Sequence, residues 1–115
     1  MSNALGIKGE RLAENYLRSN GYEILERNFR YSRAEIDIIA RKDGTIVFCE
    51  VKTRKSDTFG LGEDAVDSKK QNQIRKAAEG YVSVKEFEDY EFRFDVIVVD
   101  LSTASVRIRI IENAF

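Results

Sequence analysis

The sequence contains no histidine, no proline and no tryptophan, and it has a single cysteine, Cys49. Histidine is the side chain that most often serves as a general base or metal ligand, so any chemistry here falls to carboxylates, lysine and tyrosine. One cysteine cannot form an internal disulfide or a zinc–thiolate cluster, and it fits a reducing compartment. These absences exclude the common histidine-based and thiolate-based sites.

A strong charge imbalance is absent as well. The net charge is −1 at pH 7, so no global positive field attracts nucleic acid, and a polyanion would have to bind local basic patches. The N-terminus has no basic-then-apolar signal pattern, and no apolar run approaches membrane length. These features predict a cytoplasmic protein without a membrane partner. The length of 115 residues predicts one domain, residues 1–115.

Apolar periodicity predicts seven secondary-structure elements. In chain order they are a helix over 5–20, a strand over 22–31, a hairpin over 34–52, a helix from Ser68 to about Phe87, and strands over 93–101 and 106–111. Ser68 and Gln71 form a predicted capping box for the second helix. The Gly-, Ser- and Asp-rich residues 53–66 are predicted to form a loop. The order α-β-β-β-α-β-β indicates an α/β or α+β domain.

The register of the hairpin follows from its turn. Asp43-Gly44 is a strong two-residue turn signal, which predicts that Lys42 pairs with Thr45. One face of the hairpin then carries only apolar pairs, as a core face requires. These pairs are Ile36/Val51, Ile38/Cys49 and Ala40/Val47.

The same register predicts two acids facing each other on the opposite face of the hairpin. That face holds Ile39/Phe48, Asp37/Glu50 and Glu35/Lys52. Directly opposed like charges are destabilising, so Asp37 and Glu50 need a shared proton or a bound cation, and a hard ion such as Mg²⁺ suits oxygen ligands. The alternative is a solvated pair that splays apart, with Lys52 serving only as a counter-ion. The apolar Ile39/Phe48 pair favours a partly covered site.

Further charged residues are predicted to lie near these acids. Glu10 sits beside the apolar arc of the first helix, either as a site residue or as a boundary carboxylate. Lys70 continues the buried stripe of the second helix and could lie over the sheet near the acids. A set of basic residues could contact phosphates, namely Lys52, Arg54, Lys55, Lys69 and Lys70.

The spacing of Asp37 and Glu50-Val51-Lys52 resembles the PD-(D/E)XK nuclease signature. The whole chain is identified as a member of the YraN-like family (UPF0102) of that superfamily, which is similar to archaeal Holliday-junction resolvases. The matching blocks are "GERLAENYLRSNGYEILERNFR", "EIDIIA", "VFCEVKTR", "KKQNQIRKAAEGYV" and "RFDVIVV". One departure is Ala34, where the motif usually has glycine.

The resemblance implies a restriction-endonuclease-like core, with a mixed β-sheet flanked by helices. It implies that Asp37 and Glu50 are metal ligands, that Lys52 is the signature lysine, and that Glu10 is an additional helix acid. The expected activity is a Mg²⁺- or Mn²⁺-dependent DNA endonuclease or junction resolvase. In it the Val51 carbonyl and Glu10 complete the metal shell, and Lys52 positions water and stabilises charge on the phosphate.

Two other functions stay open at the level of sequence. One is a nucleic-acid-binding module that keeps the nuclease-like fold without cutting. The other is an interaction or scaffold subunit with a vestigial acidic pair. Because resolvase-like proteins act on two-fold substrates, a homodimer would fit.

Overall fold

The structure, a computed structural model, describes residues 4–55, 67–85, 87 and 89–115. Its elements are α1 (Ala4–Ser19), β1 (Glu23–Tyr31), β2 (Ala34–Lys42), β3 (Thr45–Arg54), α2 (Ser68–Lys85), β4 (Glu91–Asp100) and β5 (Arg107–Ile111). The predicted order α-β-β-β-α-β-β is confirmed. Neither helix in the described part of the chain has the length and apolar character needed to cross a membrane.

The described strands form one mixed sheet in the order β1-β2-β3-β4-β5. The pairs β1–β2, β2–β3 and β4–β5 are antiparallel, whereas β3 and β4 run parallel. Parallel neighbours need a long crossover connection, and the segment that contains α2 supplies it. The expected fold class, a mixed sheet with flanking helices, is confirmed.

Each face of the sheet has its own helix and its own apolar cluster. On one face, Ala13 and Leu17 of α1 cover buried residues of the sheet, namely Ile38, Ala40, Val47, Cys49, Ile97 and Val99. On the other face, Ile74 and Tyr81 of α2 belong to a cluster with Ile36, Ile39, Ile46, Phe48, Val96 and Val98. Strands β3 and β4 are therefore buried on both faces, which explains the nearly continuous apolar sequence of β4.

The predicted hairpin register is confirmed only over the half next to the turn. The ladder between β2 and β3 contains Lys42↔Thr45, Arg41↔Ile46, Ala40↔Val47, Ile39↔Phe48 and Ile38↔Cys49. The expected continuation through Asp37/Glu50, Ile36/Val51 and Glu35/Lys52 is wrong, because the ladder ends at Ile38↔Cys49. Beyond it, β2 stays paired with β1 and β3 stays paired with β4, so the sheet opens between β2 and β3.

The physical reason for this mismatch is a change of face within β1 and β2. Ile36 packs in the α2-side cluster, whereas Ile38 packs in the α1-side cluster. In β1, Arg27 bonds to Glu14 of α1, but Phe29 contacts Tyr81 of α2 at a ring-centroid distance of 5.1 Å.

Asn28 lies between Arg27 and Phe29 and has a φ of 51°, in the left-handed region that asparagine tolerates better than most residues. A residue in this conformation breaks the two-residue alternation of a strand. The paired stretch of β2 changes face as well, so Ile36, Ile38 and Ala40 do not share one face as the sequence predicted.

Two boundaries differ from the sequence prediction. Strand β3 continues through Arg54 because its pairing with β4 extends to Arg54↔Asp100, so 53–54 belong to the sheet rather than to a loop. Helix α2 is capped by Asp67, whose Oδ1 accepts a 2.8 Å hydrogen bond from the Lys70 N–H. The N-cap is therefore Asp67, and the expected Ser68/Gln71 capping box is wrong because Ser68 is already the first residue of the helix. The rest of the predicted loop, 56–66, lies outside the described residues.

Helix α1 approaches β3 closely at Gly9. A Cβ built on Gly9 would overlap Thr53 Oγ1 and would lie 2.9 Å from Thr53 Cβ. The absence of a side chain at this position lets the helix backbone rest against the strand. The contact sets the height of Glu10, the next residue of α1, above the sheet.

We expect Gly9→Ala to destabilise the protein by about 1–3 kcal/mol, because the added methyl group forces α1 away from β3. Urea unfolding measures the change. Adding Thr53→Ala should recover part of the loss, since it removes Oγ1 and Cγ2, and Lys8→Ala on the exposed side of α1 is the control. An unchanged or higher unfolding free energy for Gly9→Ala would contradict the close approach.

Candidate functional site

The opening between β2 and β3 brings together the two acids singled out by the sequence. The Val51 N–H donates a 2.8 Å hydrogen bond to Asp37 Oδ2. The Asp37 side chain thus takes the place of the backbone carbonyl that would accept this bond if the β2–β3 ladder continued. Glu50 points from β3 toward α2 and is only 4 % exposed. The carboxyl groups of Asp37 and Glu50 are close enough for each to shift the pKa of the other. The acids thus meet through a side-chain contact instead of a ladder pair.

The two acids differ in their affinity for a proton. Burial, followed by the hydrogen bond and the charge of Glu50, raises the pKa of Asp37 to about 8. Burial also opposes ionisation of Glu50, but hydrogen bonds from Asp37 and Lys70 and the nearby ammonium charges outweigh it and lower the pKa of Glu50. At neutral pH, Asp37 therefore holds the shared proton and Glu50 carries the negative charge.

Two ammonium groups neutralise Glu50. Lys52 Nζ lies 3.4 Å from Glu50 Oε2, and Lys70 Nζ contacts the same oxygen more closely. Glu50 Oε2 is buried, and its partners among the described residues are these two ammonium groups.

The lysines respond differently to this shared environment. Burial and the positive charge of Lys70 lower the pKa of Lys52 in spite of Glu50. Burial also disfavours the charged form of Lys70, but Glu50 outweighs it and raises the pKa of Lys70. Lys70 is therefore the principal counter-ion of Glu50.

The acids open into a cavity of about 400 Å³ whose wall carries charges of both signs. The charged lining residues are Arg33, Glu35, Asp37, Glu50, Asp67, Lys69 and Lys70. Glu35 does not pair with Lys52 as predicted, because the ladder has already ended, and it forms an ion pair with Arg30 at 3.3 Å instead. The cavity therefore places a carboxylate pair beside several basic groups in a partly enclosed space.

Glu10 approaches the acidic pair from the other side of the sheet opening. It lines a second cavity, of about 480 Å³, together with Asn28 and Asp37. Burial and the charges of Glu35 and Glu50 raise the pKa of Glu10, while a hydrogen bond with Asn28 lowers it in part. No three side chains among the described His, Cys, Asp and Glu residues form a group that could hold a metal ion, so Glu10 stays outside the carboxylate pair.

Not all of the predicted phosphate-binding residues gather at this site. Lys69 and Lys70 line the first cavity. Arg54 lines a different cavity beside Asp100 and Arg107, because β3 carries it past the opening to the far end of the sheet. Lys55 is exposed just after β3 and is not among the residues that line the first cavity.

Sequence reasoning missed two residues beside the acids. Arg33, in the turn between β1 and β2, lines the first cavity. Asn28 lines the second cavity and bonds to Glu10, and its positive φ marks a strained backbone of the kind that often occurs at functional sites. Asn28 had no visible signal because it lies in a segment with the composition of an ordinary edge strand.

Comparison with known proteins identifies the family. The model of the family described as "Uncharacterised protein family UPF0102" matches residues 9–99, which include both acids and both lysines. The UPF0102 protein of Christiangramia forsetii is 47 % identical over 113 residues, covering 98 % of this chain and 94 % of the relative. That of Alkaliphilus oremlandii is 45 % identical over 117 residues and covers both chains completely. The protein described here therefore belongs to the UPF0102 family.

Proposed function

We propose that the protein is a divalent-metal-dependent phosphodiester hydrolase that acts on DNA, with branched or junction DNA as its substrate class. The observation that carries the proposal is the neighbouring acid pair Asp37 and Glu50, which lines a charged cavity, with Lys52 and Lys70 in ion pairs with Glu50. A buried acid pair of this kind needs either a proton or a cation, and the neighbouring ammonium groups suit a phosphate. We extend the proposal to membership of the PD-(D/E)XK superfamily, near the archaeal Holliday-junction resolvases.

The donor atoms fit a hard divalent cation. They are oxygens, and the buried Oε2 of Glu50 already attracts two cationic groups, Lys52 and Lys70. Asp37, Glu50 and the Val51 carbonyl would hold Mg²⁺ or Mn²⁺, and Glu10, which lies outside the carboxylate pair, would have to move toward it to complete the shell. The ion would supply polarisation of the scissile phosphate and a lower pKa for an attacking water.

The lysines would complete the site from the protein side. Lys52 lies on the same face of β3 as Glu50 and is 21 % exposed in its side chain, so it can contact a molecule in the opening. There it would orient water and stabilise negative charge on phosphate. Lys69, Lys70 and Arg33 would hold the neighbouring phosphates. This local arrangement suits a polyanion even though the whole chain has a net charge of −1.

The second candidate function is a non-catalytic nucleic-acid-binding module with the same fold. Two observations favour it. The ammonium group of Lys70 already neutralises Glu50, and no third acid joins Asp37 and Glu50 in a metal-binding group among the described residues. Such a module would bind DNA weakly and with strong salt dependence, and Glu50→Gln would leave its binding unchanged. Under either function we propose a cytoplasmic location and a homodimer that matches a two-fold substrate.

We expect purified protein to cleave flapped or four-way-junction DNA in Mn²⁺ or Mg²⁺ and to be inactive in EDTA. Glu50→Gln and Lys52→Met should each lower the cleavage rate at least about a hundredfold, because the first removes a metal-binding carboxylate and the second removes the ammonium group that stabilises charge on the phosphate. Gel assays with labelled DNA measure the rate, and Glu79→Gln on the exposed side of α2 is the matched control. If no DNA or RNA in a broad panel is cut, the hydrolase proposal fails; metal-independent binding would then select the binding module.

We also expect the metal-free protein to lose stability as the pH rises from about 5 to about 8. Over this range Asp37 keeps its proton in the folded state but has lost it in the unfolded chain. The folded state therefore binds more protons, and the free energy of unfolding falls as the pH rises. The limiting slope is on the order of 1.4 kcal/mol per pH unit. Urea unfolding in EDTA measures this slope. The chain has no histidine, the side chain that ordinarily titrates between pH 5 and pH 8, so no histidine contributes to the slope.

Asp37→Asn should flatten this pH dependence and raise the stability at pH 8. The amide introduced by this substitution imitates the protonated acid, since it can both donate to Glu50 and accept from the Val51 N–H. The exposed Asp89→Asn variant is the control and should retain the slope of the parent protein. A parent protein equally stable at pH 5 and pH 8 would contradict the raised pKa of Asp37.

A further inference from the structure

Lys70 occupies the position where a metal ion would need free carboxylate oxygen. Its Nζ contacts Glu50 Oε2, the buried oxygen that has no ordinary hydrogen-bond partner among the described residues. We propose that Lys70 competes with the divalent ion for Glu50, and that the ion releases Lys70 to contact the substrate phosphate. This inference rests on the proposed metal site and adds a coupling between metal and nucleic acid.

The position of Lys70 allows its side chain to move while its backbone stays in place. Lys70 lies in the first turn of α2, where its N–H donates to Asp67 Oδ1 at 2.8 Å. Its side chain is 40 % exposed and lines the first cavity, whereas that of Glu50 is 4 % exposed. The acid is therefore the fixed partner and the lysine is the one with space to leave.

Lys70 and Lys52 are not equivalent in this competition. Both ammonium groups neighbour Glu50 Oε2, but Lys52 lies 3.4 Å away and Lys70 is the closer of the two. A divalent ion on Glu50 would repel both ammonium groups, and the repulsion is strongest for the group that shares the oxygen. Lys70 is displaced first, while Lys52 can stay beside the site.

The displaced ammonium group would still lie in the cavity. Lys69 and Arg33 line the same space, so the freed Lys70 would add a third positive charge at a surface suited to phosphate. A phosphate that holds Lys70 away from Glu50 must in turn strengthen metal binding, because thermodynamic coupling is reciprocal. Competition from Lys70 would keep the affinity of the protein for the metal ion low until nucleic acid binds.

The direct test is calorimetric titration of Mn²⁺ into protein without nucleic acid. Lys70→Met removes the competing charge, and its Mn²⁺ affinity should rise about tenfold, within the range of ordinary site-to-site coupling. Lys69→Met removes a charge from the same cavity without removing the Glu50 contact, so its affinity should change by less than about twofold. An unchanged or weaker affinity in Lys70→Met, or an equal gain in Lys69→Met, overturns the proposal.

A second variant guards against a folding defect. Lys70→Arg keeps the positive charge and should retain weak Mn²⁺ binding, whereas Lys70→Gln should behave as Lys70→Met does. Thermal unfolding adds a readout that does not need activity, since Mn²⁺ should raise the melting temperature of Lys70→Met more than that of the parent protein. Equal shifts in the two proteins count against the competition.

The coupling itself is tested with a short DNA duplex that carries non-cleavable phosphorothioate linkages. This duplex should raise the Mn²⁺ affinity of the parent protein several-fold and should have no such effect in Lys70→Met. Failure of the two proposals can be distinguished. Tighter metal binding in Lys70→Met without cleavage by the parent protein would reject the hydrolase alone, whereas cleavage with unaltered metal affinity in Lys70→Met would reject the competition alone.

Discussion

The hydrogen bond from the Val51 N–H to Asp37 Oδ2 is the interaction on which the site depends. It forms where the β2–β3 ladder ends after Ile38↔Cys49, and it satisfies a backbone donor that the divergence of the strands would otherwise leave unpaired. The bond also fixes the Asp37 carboxyl group at the level of Glu50. One contact therefore holds the sheet open and brings the acids together.

The two helices bring the remaining groups to this opening by different means. Helix α1 rests on β3 through Gly9, whose missing side chain leaves room for Thr53, and Glu10 follows directly above the sheet. Helix α2 begins at Ser68 and is capped by Asp67, whose hydrogen bond to the Lys70 N–H fixes the first turn, and the Lys70 side chain contacts Glu50. Because the helices cover opposite faces of the sheet, an opening between its central strands is the place where residues of both can approach the same acid pair.

Much of the fold was predictable from sequence because local signals agreed with one another. The Asp43-Gly44 turn fixed the register near the turn, and helical periodicity located both helices. The register failed beyond Ile38 because hydrophobicity cannot reveal a change of face when both faces are buried. Ile36 is as apolar as Ile38, yet the two side chains lie in different clusters. On the neighbouring strand β1, Asn28 adopts the left-handed region, a backbone conformation that composition does not encode.

The candidate site shows the same division between what sequence could and could not predict. The turn signal predicts Asp37 and Glu50 as a ladder pair, which is wrong because the ladder stops before them, but the register next to the turn still brings the two acids close. Arg54 was grouped with the phosphate-binding residues because it is near Lys52 in the chain. Two residues along a strand advance about 6.6 Å, and β3 takes Arg54 to a separate cavity. Proximity in sequence is therefore a poor guide along a strand that runs away from the site.

The balance of charge explains how a chain with a net charge of −1 can present a site suited to phosphate. With Asp37 protonated, Glu50 supplies one negative charge against the two ammonium groups of Lys52 and Lys70, so the site is positive by one unit. A divalent ion that displaces the Asp37 proton adds two positive charges and exposes one more negative charge, which raises the balance to two. The positive field of the site is local, because salt screens the interaction between charges that lie more than a Debye length apart. A site built from carboxylates and lysines can thus become more positive when it loses a proton, provided that a metal ion takes the place of that proton.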